Sequence, residues 1–213
     1  MKKIGVILLY LLSLTIPVTL YLLALGGGFD SYSLSVILGI SAFIMVGNQF
    51  ILASRPRFVV SAFGTKGILS FHGTMPVFIL IFAGTHKILK EFNGFSDETL
   101  QGSLGGTVWW LFLAVTILTV LLMANTFWMK IKPLSSFKKW TYKKTGLNYK
   151  IMRVLHNITV VAAVLIMVHV LLASTGSFSD NPAGILWMIG WMILSLAMYL
   201  VYRLHGRTTG GVK

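Results

Sequence analysis

The hydrophobic residues of this chain fall into six long runs that are separated by short polar segments. About twenty consecutive apolar residues are needed for a helix to cross the hydrocarbon core of a bilayer. Each run is about that long, so the pattern predicts an all-α integral membrane protein, a six-transmembrane-helix bundle that forms a single domain over residues 1–213. The predicted spans cover residues 4–25, 32–54, 68–88, 107–129, 149–173 and 185–204.

The polar segments between the runs carry the glycine, proline, serine and asparagine residues that interrupt helices. In order they contain GGGFDS, RPRF, NGFSDETLQGSLGG, KPLSSFKKW and GSFSDNPAG, and we predict that each is a connecting loop. The first run continues through Pro17 to Leu25 without a small-residue cleavage site. We therefore expect a retained helix rather than a signal peptide.

Charged residues are distributed unevenly between the two ends of the predicted bundle. If the N-terminus is placed inside, every lysine and arginine except Lys87 and Lys90 falls in an inside segment, whereas all five acidic residues fall outside. Cytoplasmic segments of membrane proteins carry an excess of lysine and arginine. The pattern therefore predicts a multi-pass protein of the cell membrane with both termini in the cytoplasm.

The composition agrees with a membrane protein, since 56% of the residues are hydrophobic, 11% are charged and the mean hydropathy is +0.83. The net charge of +13 does not indicate a nucleic-acid partner, because the basic residues lie in short loops. Eight of them lie between Lys130 and Arg153. Two interpretations of this segment stay open: attraction to anionic membrane lipid, or a docking surface for an acidic cytoplasmic partner. The absence of cysteine excludes disulfides, iron–sulfur clusters and thiolate zinc sites.

Four of the five histidines lie inside the predicted spans, where ionisable side chains are costly and usually functional. His72 and His86 lie on the third span, and His156 and His169 lie on the fifth. These two spans run in the same direction. We therefore expect His72 beside His156 in the cytoplasmic half and His86 beside His169 in the outer half.

The spacing of the histidines differs between the two spans. Fourteen residues bring His86 to within about 40° of the face that carries His72, about 21 Å away along an ideal α-helix. Thirteen residues separate His156 from His169, which gives nearly the same depth but misses a common face by about 140°. Local overwinding or a steep crossing of the helices would absorb the difference.

Two imidazoles that face each other at each of two depths are suited to bind haem iron. Two such ligands leave the iron no open coordination position, so the site transfers electrons, and two stacked sites form a path across the membrane. Histidines that hydrogen-bond neighbouring helices are the ordinary alternative. A di-metal site or a proton path is less well supported, because the spans lack carboxylates. A haem-free transporter or channel subunit with a histidine-lined path is the alternative from another functional class.

The histidine pattern resembles the ferric reductase-like transmembrane domain, which is shared by ferric reductases, NADPH oxidases and the membrane haem subunit of the methionine sulfoxide reductase system. In that family, histidines fourteen residues apart on the third helix and thirteen apart on the fifth bind two b-type haems. The resemblance covers about residues 4–204 and includes R-x-x-H-N at 153–157. It implies two haem b groups, the inner one held by His72 and His156 and the outer one by His86 and His169.

Two basic residues beside these histidines are candidates for binding haem propionates. Arg153 lies one turn before His156 and would serve the inner haem. A snorkelling anchor at the membrane interface is an equally ordinary interpretation of this arginine. Lys87 follows His86 directly and is the corresponding candidate for the outer haem.

Ferric reductases and oxidases usually continue into a cytoplasmic region that binds FAD and NADPH, whereas this sequence contains no nucleotide-binding fingerprint. We therefore expect this chain to bind no flavin and to carry no catalytic residue. We expect an electron-transfer subunit of an oxidoreductase that takes electrons from a cytoplasmic flavoprotein reductase or a membrane quinol. The expected acceptor lies outside the cytoplasm and is a flavin-carrying protein, ferric iron or a reductase subunit.

Overall fold

The computed structural model describes residues 2–25, 28–96, 98–123, 130–146, 149–173 and 179–205, and no strand occurs in these ranges. The α-helices are α1 (Lys2–Leu25), α2 (Ser31–Ser54), α3 (Arg57–Phe92), α4 (Leu100–Leu118), α5 (Lys132–Thr145), α6 (Tyr149–His156), α7 (Ile158–Leu172) and α8 (Pro182–His205). A π-helical turn, Thr119–Met123, continues α4. The described part of the chain is therefore all-α, as predicted.

Six helical segments are long and apolar enough to cross a membrane. They are Lys3–Leu25, Ser31–Ser54, Arg57–Phe92, Leu100–Met123, Tyr149–Leu172 and Pro182–His205. Their number and order agree with the six predicted spans, although the third and fourth begin earlier, at Arg57 and Leu100. The loop prediction for NGFSDETLQGSLGG was therefore wrong in its second half, because LQGSLGG forms the start of α4. Residues 124–129, the end of the predicted fourth span, lie outside the described residues.

The second span, α2, is the most enclosed of the membrane-length helices and lies at the centre of the bundle. Its side chains Phe43 and Ile44 belong to the main buried cluster, which α8 shares. Asn48 of α2 donates to Ser13 Oγ at 3.0 Å and accepts from Trp191 Nε1 at 2.9 Å. Buried polar groups in an apolar bundle are stabilised by such pairing, so Asn48 fixes α2 against α1 and α8.

Residues next to α2 explain where this helix begins and where it ends. Asp30 caps its start, because one carboxylate oxygen accepts from the backbone amide and the hydroxyl of Ser33, each at 2.7 Å. These hydrogen bonds, the amide first, hold the pKa of the Asp30 carboxyl below its ordinary value. At the other end Arg55 adopts a left-handed φ of 50°, and Pro56 follows as the residue that precedes α3.

The segment KPLSSFKKW was predicted to be a connecting loop, and this prediction was wrong, because it forms most of α5. Pro133 lies in the first turn of α5, where a missing amide hydrogen costs little. Thr141 is buried, and the hydroxyl of Tyr142 donates to the carbonyl of Leu122 in the π-helical turn. The Tyr142 contact joins the basic helix α5 to the π-helical turn of the fourth span.

Within the described ranges, the third, fourth and fifth spans depart from a regular α-helix. Gly64 has φ 67° and ψ 164°, so α3 consists of a short first segment and a longer helix that includes Pro76. The fourth span changes from an α-helix to the π-helical turn at Thr119, and the fifth is divided into α6 and α7 at Asn157. The irregularities of the fourth and fifth spans both lie next to His156.

Candidate functional site

The four span histidines form two ring pairs. The imidazoles of His72 on α3 and His156 on α6 have centroids 6.2 Å apart, with ring planes at 80°. Those of His86 on α3 and His169 on α7 have centroids 6.4 Å apart, with ring planes at 88°. We call the first the inner pair and the second the outer pair. These are the pairs that the sequence led us to expect, and their role as iron ligands stays a prediction.

The fifth span is interrupted at Asn157, between its two histidines. His156 is the last residue of α6, and α7 begins at Ile158. Around this joint the Asn157 amide donates to the Val154 carbonyl at 3.0 Å, and the Val160 amide donates to the Asn157 carbonyl at 2.9 Å. Bonds between residues three apart advance side chains by about 120° per residue instead of about 100°. The span is therefore locally overwound at a helix break, which changes the facing of His156 relative to His169.

The separation of the paired rings fits a single metal ion between them. A metal–imidazole nitrogen bond of about 2.0 Å on each side, plus the distance from that nitrogen to the ring centre, places the two centroids roughly 6.3 Å apart. Among the described residues there is no group of three or more His, Asp or Glu side chains with metal-binding spacing. Each pair is thus a two-ligand set, which suits an ion whose remaining positions are filled by a cofactor such as haem.

The outer pair is oriented by two backbone carbonyls. The Nδ1 of His86 donates to Ser35 O at 2.7 Å, and the Nδ1 of His169 donates to Gln101 O at 2.8 Å. An imidazole that donates from Nδ1 keeps Nε2 deprotonated, so Nε2 is available as a ligand. Both outer rings are therefore held in the tautomer that binds metal through Nε2.

A glycine makes room for each outer ring. A Cβ on Gly39 of α2 would lie 2.8 Å from His86 Nδ1, and a Cβ on Gly105 of α4 would lie 2.8 Å from His169 Cε1. Each glycine follows its carbonyl partner, Ser35 or Gln101, by four residues. The same helical turn therefore supplies the carbonyl and the space for the ring. Neither glycine was predicted as a site residue, because the sequence does not show which helix faces each histidine.

The imidazoles of the inner pair make fewer and longer hydrogen bonds than those of the outer pair. The Nδ1 of His156 lies 3.2 Å from the hydroxyl of Thr119, the first residue of the π-helical turn. The Nδ1 of His72 is buried and has no hydrogen-bond partner among the described residues, although the backbone of Gln49 lies near this ring. Thr119 was not predicted as a site residue either. A π-helical turn inside a helix is often associated with a functional site, but its position could not be predicted from the sequence.

A cavity of about 360 Å³ opens beside the outer pair. Its lining includes both outer histidines, both glycines that face them, and the indole of Trp109. Most of the wall is apolar, and the volume lies in the range of roughly 300–1,000 Å³ that small-molecule sites occupy. The cavity therefore provides apolar space for a ligand next to the imidazoles.

The remaining predicted site residue, Arg153, lies on α6 one turn before His156, and its side chain is exposed. Nothing in its surroundings tests a role in binding a propionate, which stays a prediction. The fifth histidine, His205, is exposed at the end of α8, and its Nδ1 lies 3.2 Å from the Val201 carbonyl of its own helix.

No protein-family model matches the chain, and neither a curated protein nor a solved structure matches it. The likeness to the ferric reductase-like transmembrane domain therefore depends on the histidine pattern and the number of spans.

Proposed function

We propose that this chain is a membrane cytochrome b that transfers electrons across the bilayer through two bis-histidine haems. The observation that carries the proposal is the geometry of the two ring pairs, with centroids 6.2 Å and 6.4 Å apart on helices of membrane-spanning length. The histidine spacing of the ferric reductase-like family supports the same proposal.

His72 and His156 would hold the inner haem, and His86 and His169 the outer one. Haem supplies a one-electron carrier when it is bound. Because the two imidazoles of a pair would both bind the iron, the chain would leave no site where a substrate can bind it. The residues around the outer rings orient the two imidazoles, and the site would transfer an electron without releasing a chemical product.

The proposed path runs along α3, which carries one ligand of each pair. Fourteen residues of α-helix place His72 and His86 about 21 Å apart, a large part of the roughly 30 Å hydrocarbon thickness. We place the protein in the cell membrane. We place the inner pair toward the cytoplasm, since the basic residues lie mainly at that end of the bundle. Electrons would come from a cytoplasmic flavoprotein reductase or a membrane quinol and leave to an acceptor outside, as one subunit of an oxidoreductase.

The proposal is tested by measuring haem in the purified full chain. We expect about two haem b per polypeptide in a pyridine haemochrome assay, and sharp visible bands after reduction with dithionite. A folded preparation without haem would overturn the proposal and favour a haem-free transporter. One haem per chain would show that only one of the two pairs is a ligand set.

A second measurement tests the dependence on a donor. Nicotinamides give up two electrons as hydride, haem accepts one at a time, and a protein-bound flavin normally converts between them. We expect NADPH alone to reduce the purified chain very slowly and a quinol or an added flavin reductase to reduce it quickly. Fast reduction by NADPH alone would contradict the proposal that the flavin resides on a partner.

A further inference from the structure

Lys90 occupies an unusual position at the wall of the outer cavity. It follows His86 by one helical turn, and its side chain lines the same cavity as His86 and His169. Its ammonium lies 3.8 Å from the ring centroid of Tyr32 and 4.3 Å from that of Phe95. The lysine is thus held by two aromatic rings beside the proposed haem site.

The charge of Lys90 has no acidic partner among the described residues, although the side chain is only partly exposed. Aromatic faces stabilise an ammonium group in part. A cation that is withdrawn from water is normally paired with an anion, because desolvation of a lone charge is costly. An anionic group on the occupant of the cavity would complete this arrangement.

Lys87, which adjoins His86 in the sequence and was our first candidate for this role, is placed differently. Its ammonium forms an ion pair with Glu91, one turn further along α3. Because the Lys87 ammonium already pairs with one carboxylate, it attracts a second carboxylate more weakly. Proximity in sequence therefore favours Lys87, whereas the three-dimensional arrangement favours Lys90.

We infer that Lys90 binds a carboxylate of the group that fills the outer cavity. This inference rests on the proposed function, under which the carboxylate is a propionate of the outer haem. Lys90 is then a cofactor-binding residue that also affects the redox potential. Its positive charge disfavours the oxidised iron, which carries one more positive charge than the reduced iron.

The test is a redox titration of the purified, haem-loaded full chain with Lys90→Met, Lys90→Arg and, as the matched control, Lys87→Met. Lys90→Met removes the cation and leaves the propionate uncompensated. We expect the midpoint potential of the outer haem to fall, or that haem to be lost selectively, with the inner haem unchanged. Lys90→Arg should restore the behaviour of the unmodified protein, and Lys87→Met should change the outer haem much less.

Three results would overturn the inference: an outer haem that is unchanged in Lys90→Met, an equal change in Lys87→Met, or an equal change in both haems of Lys90→Met. The last would indicate a general structural role. Absence of haem from the unmodified chain would instead defeat the proposed function.

A second arm distinguishes a haem propionate from a free anion. The outer potential is measured at constant ionic strength while chloride is replaced by phosphate or by citrate. A propionate on Lys90 predicts no dependence on the anion. A potential that follows the phosphate or citrate concentration, and loses this response in Lys90→Met, would assign the site to a free anion and overturn the propionate assignment.

Discussion

The outer and inner histidine pairs have nearly the same ring separation but different supports. Each outer ring donates to a backbone carbonyl and packs against a glycine of a regular helix. In the inner pair, His156 ends a helix of eight residues and meets a threonine hydroxyl in a π-helical turn, while the Nδ1 of His72 has no hydrogen bond among the described residues. The comparison shows that nearly the same ring separation occurs with two different sets of supports.

Under the proposed function, this difference in hydrogen bonding would affect the redox potentials of the two haems. A hydrogen bond from Nδ1 to a strong acceptor raises the basicity of the ligating nitrogen, which stabilises oxidised iron. The outer pair has two such bonds to carbonyls, and the inner pair has one longer contact to a hydroxyl. The nearby charge of Lys90 acts in the opposite direction on the outer site. The effects of hydrogen bonding and of charge on the outer potential therefore have to be measured separately, in variants that change one of them at a time.

The largest expected effect comes from removing one of the four histidines that we propose as haem ligands. His86→Ala and His169→Ala should each abolish the outer haem, and His72→Ala and His156→Ala should each abolish the inner one, because a single imidazole holds the iron much less tightly. Haem content and redox titration of the four variants test the pairing. His205→Ala is the control and should keep both haems. Loss of the same component in His72→Ala and His169→Ala would contradict the pairing.

The next effect comes from filling the space beside the outer rings. Gly39→Ala and Gly105→Ala place a methyl group within 3 Å of an imidazole, and such overpacking typically costs about 1–3 kcal/mol. We expect outer haem binding to weaken by about tenfold to a hundredfold, with the inner haem retained. The measurement is the haem content of each site after incubation with apomyoglobin, which takes up the haem that is released.

Gly190→Ala provides the matched control for this prediction, because a Cβ on Gly190 of α8 would meet nothing within 4 Å. Replacement of a helical glycine by alanine at such a position is neutral or slightly stabilising. Equal haem retention in Gly105→Ala and Gly190→Ala would show that the fit of His169 against Gly105 is unimportant.

A smaller effect is expected at the inner pair from Thr119→Val. The change removes the hydroxyl that contacts His156 Nδ1, and a hydrogen bond of this kind contributes about 0.5–1.5 kcal/mol. The His156 imidazole becomes less basic, so the inner potential should rise slightly while the outer potential stays the same. Ser103→Ala is the control on the same helix, since Ser103 is exposed and bonds its own helix. A shift of the outer haem alone would refute the assignment of Thr119 to the inner pair.

The smallest effect is expected at the joint of the fifth span. Tyr199→Phe removes the hydroxyl that donates to Asn157 Oδ1 at 3.3 Å, a contribution of about 0.5–1 kcal/mol. On heating, we expect the absorption bands of the inner haem to disappear at a slightly lower temperature than in the unmodified protein. The outer haem should not change. Tyr202→Phe, on the same helix, serves as the control. An effect on the outer haem as large as that on the inner haem would show that the joint supports both sites.

The sequence was sufficient to predict the six spans, because each apolar run is long and hydrophobicity alone decides whether a segment can cross a bilayer. It was also sufficient to pair the histidines, since depth in the membrane can be calculated from residue spacing. The supports of the rings could not be predicted, because they depend on which helices are neighbours. Gly39 and Gly105 look like many glycines in membrane helices until the facing imidazole is known.

The wrong loop prediction for α5 has a different cause. KPLSSFKKW contains proline, serines and lysines, which suggest a break, but proline is well tolerated in the first turn of a helix. The contacts of Thr141 and Tyr142 with the bundle lie further along the chain and were not visible in the local pattern. Local composition therefore did not indicate that Lys132–Thr145 forms a helix.

The joint at Asn157 also affects how sequences related to this one should be compared. Within the continuous part of α3, one extra residue between His72 and His86 would turn one ring away from its partner by about 100°. At Asn157 the helix is already interrupted, so we expect this joint to tolerate one residue more or less better than α3 does. The spacing on the third span is consequently a strict signature, whereas the spacing on the fifth should be allowed to vary when distant homologues are sought.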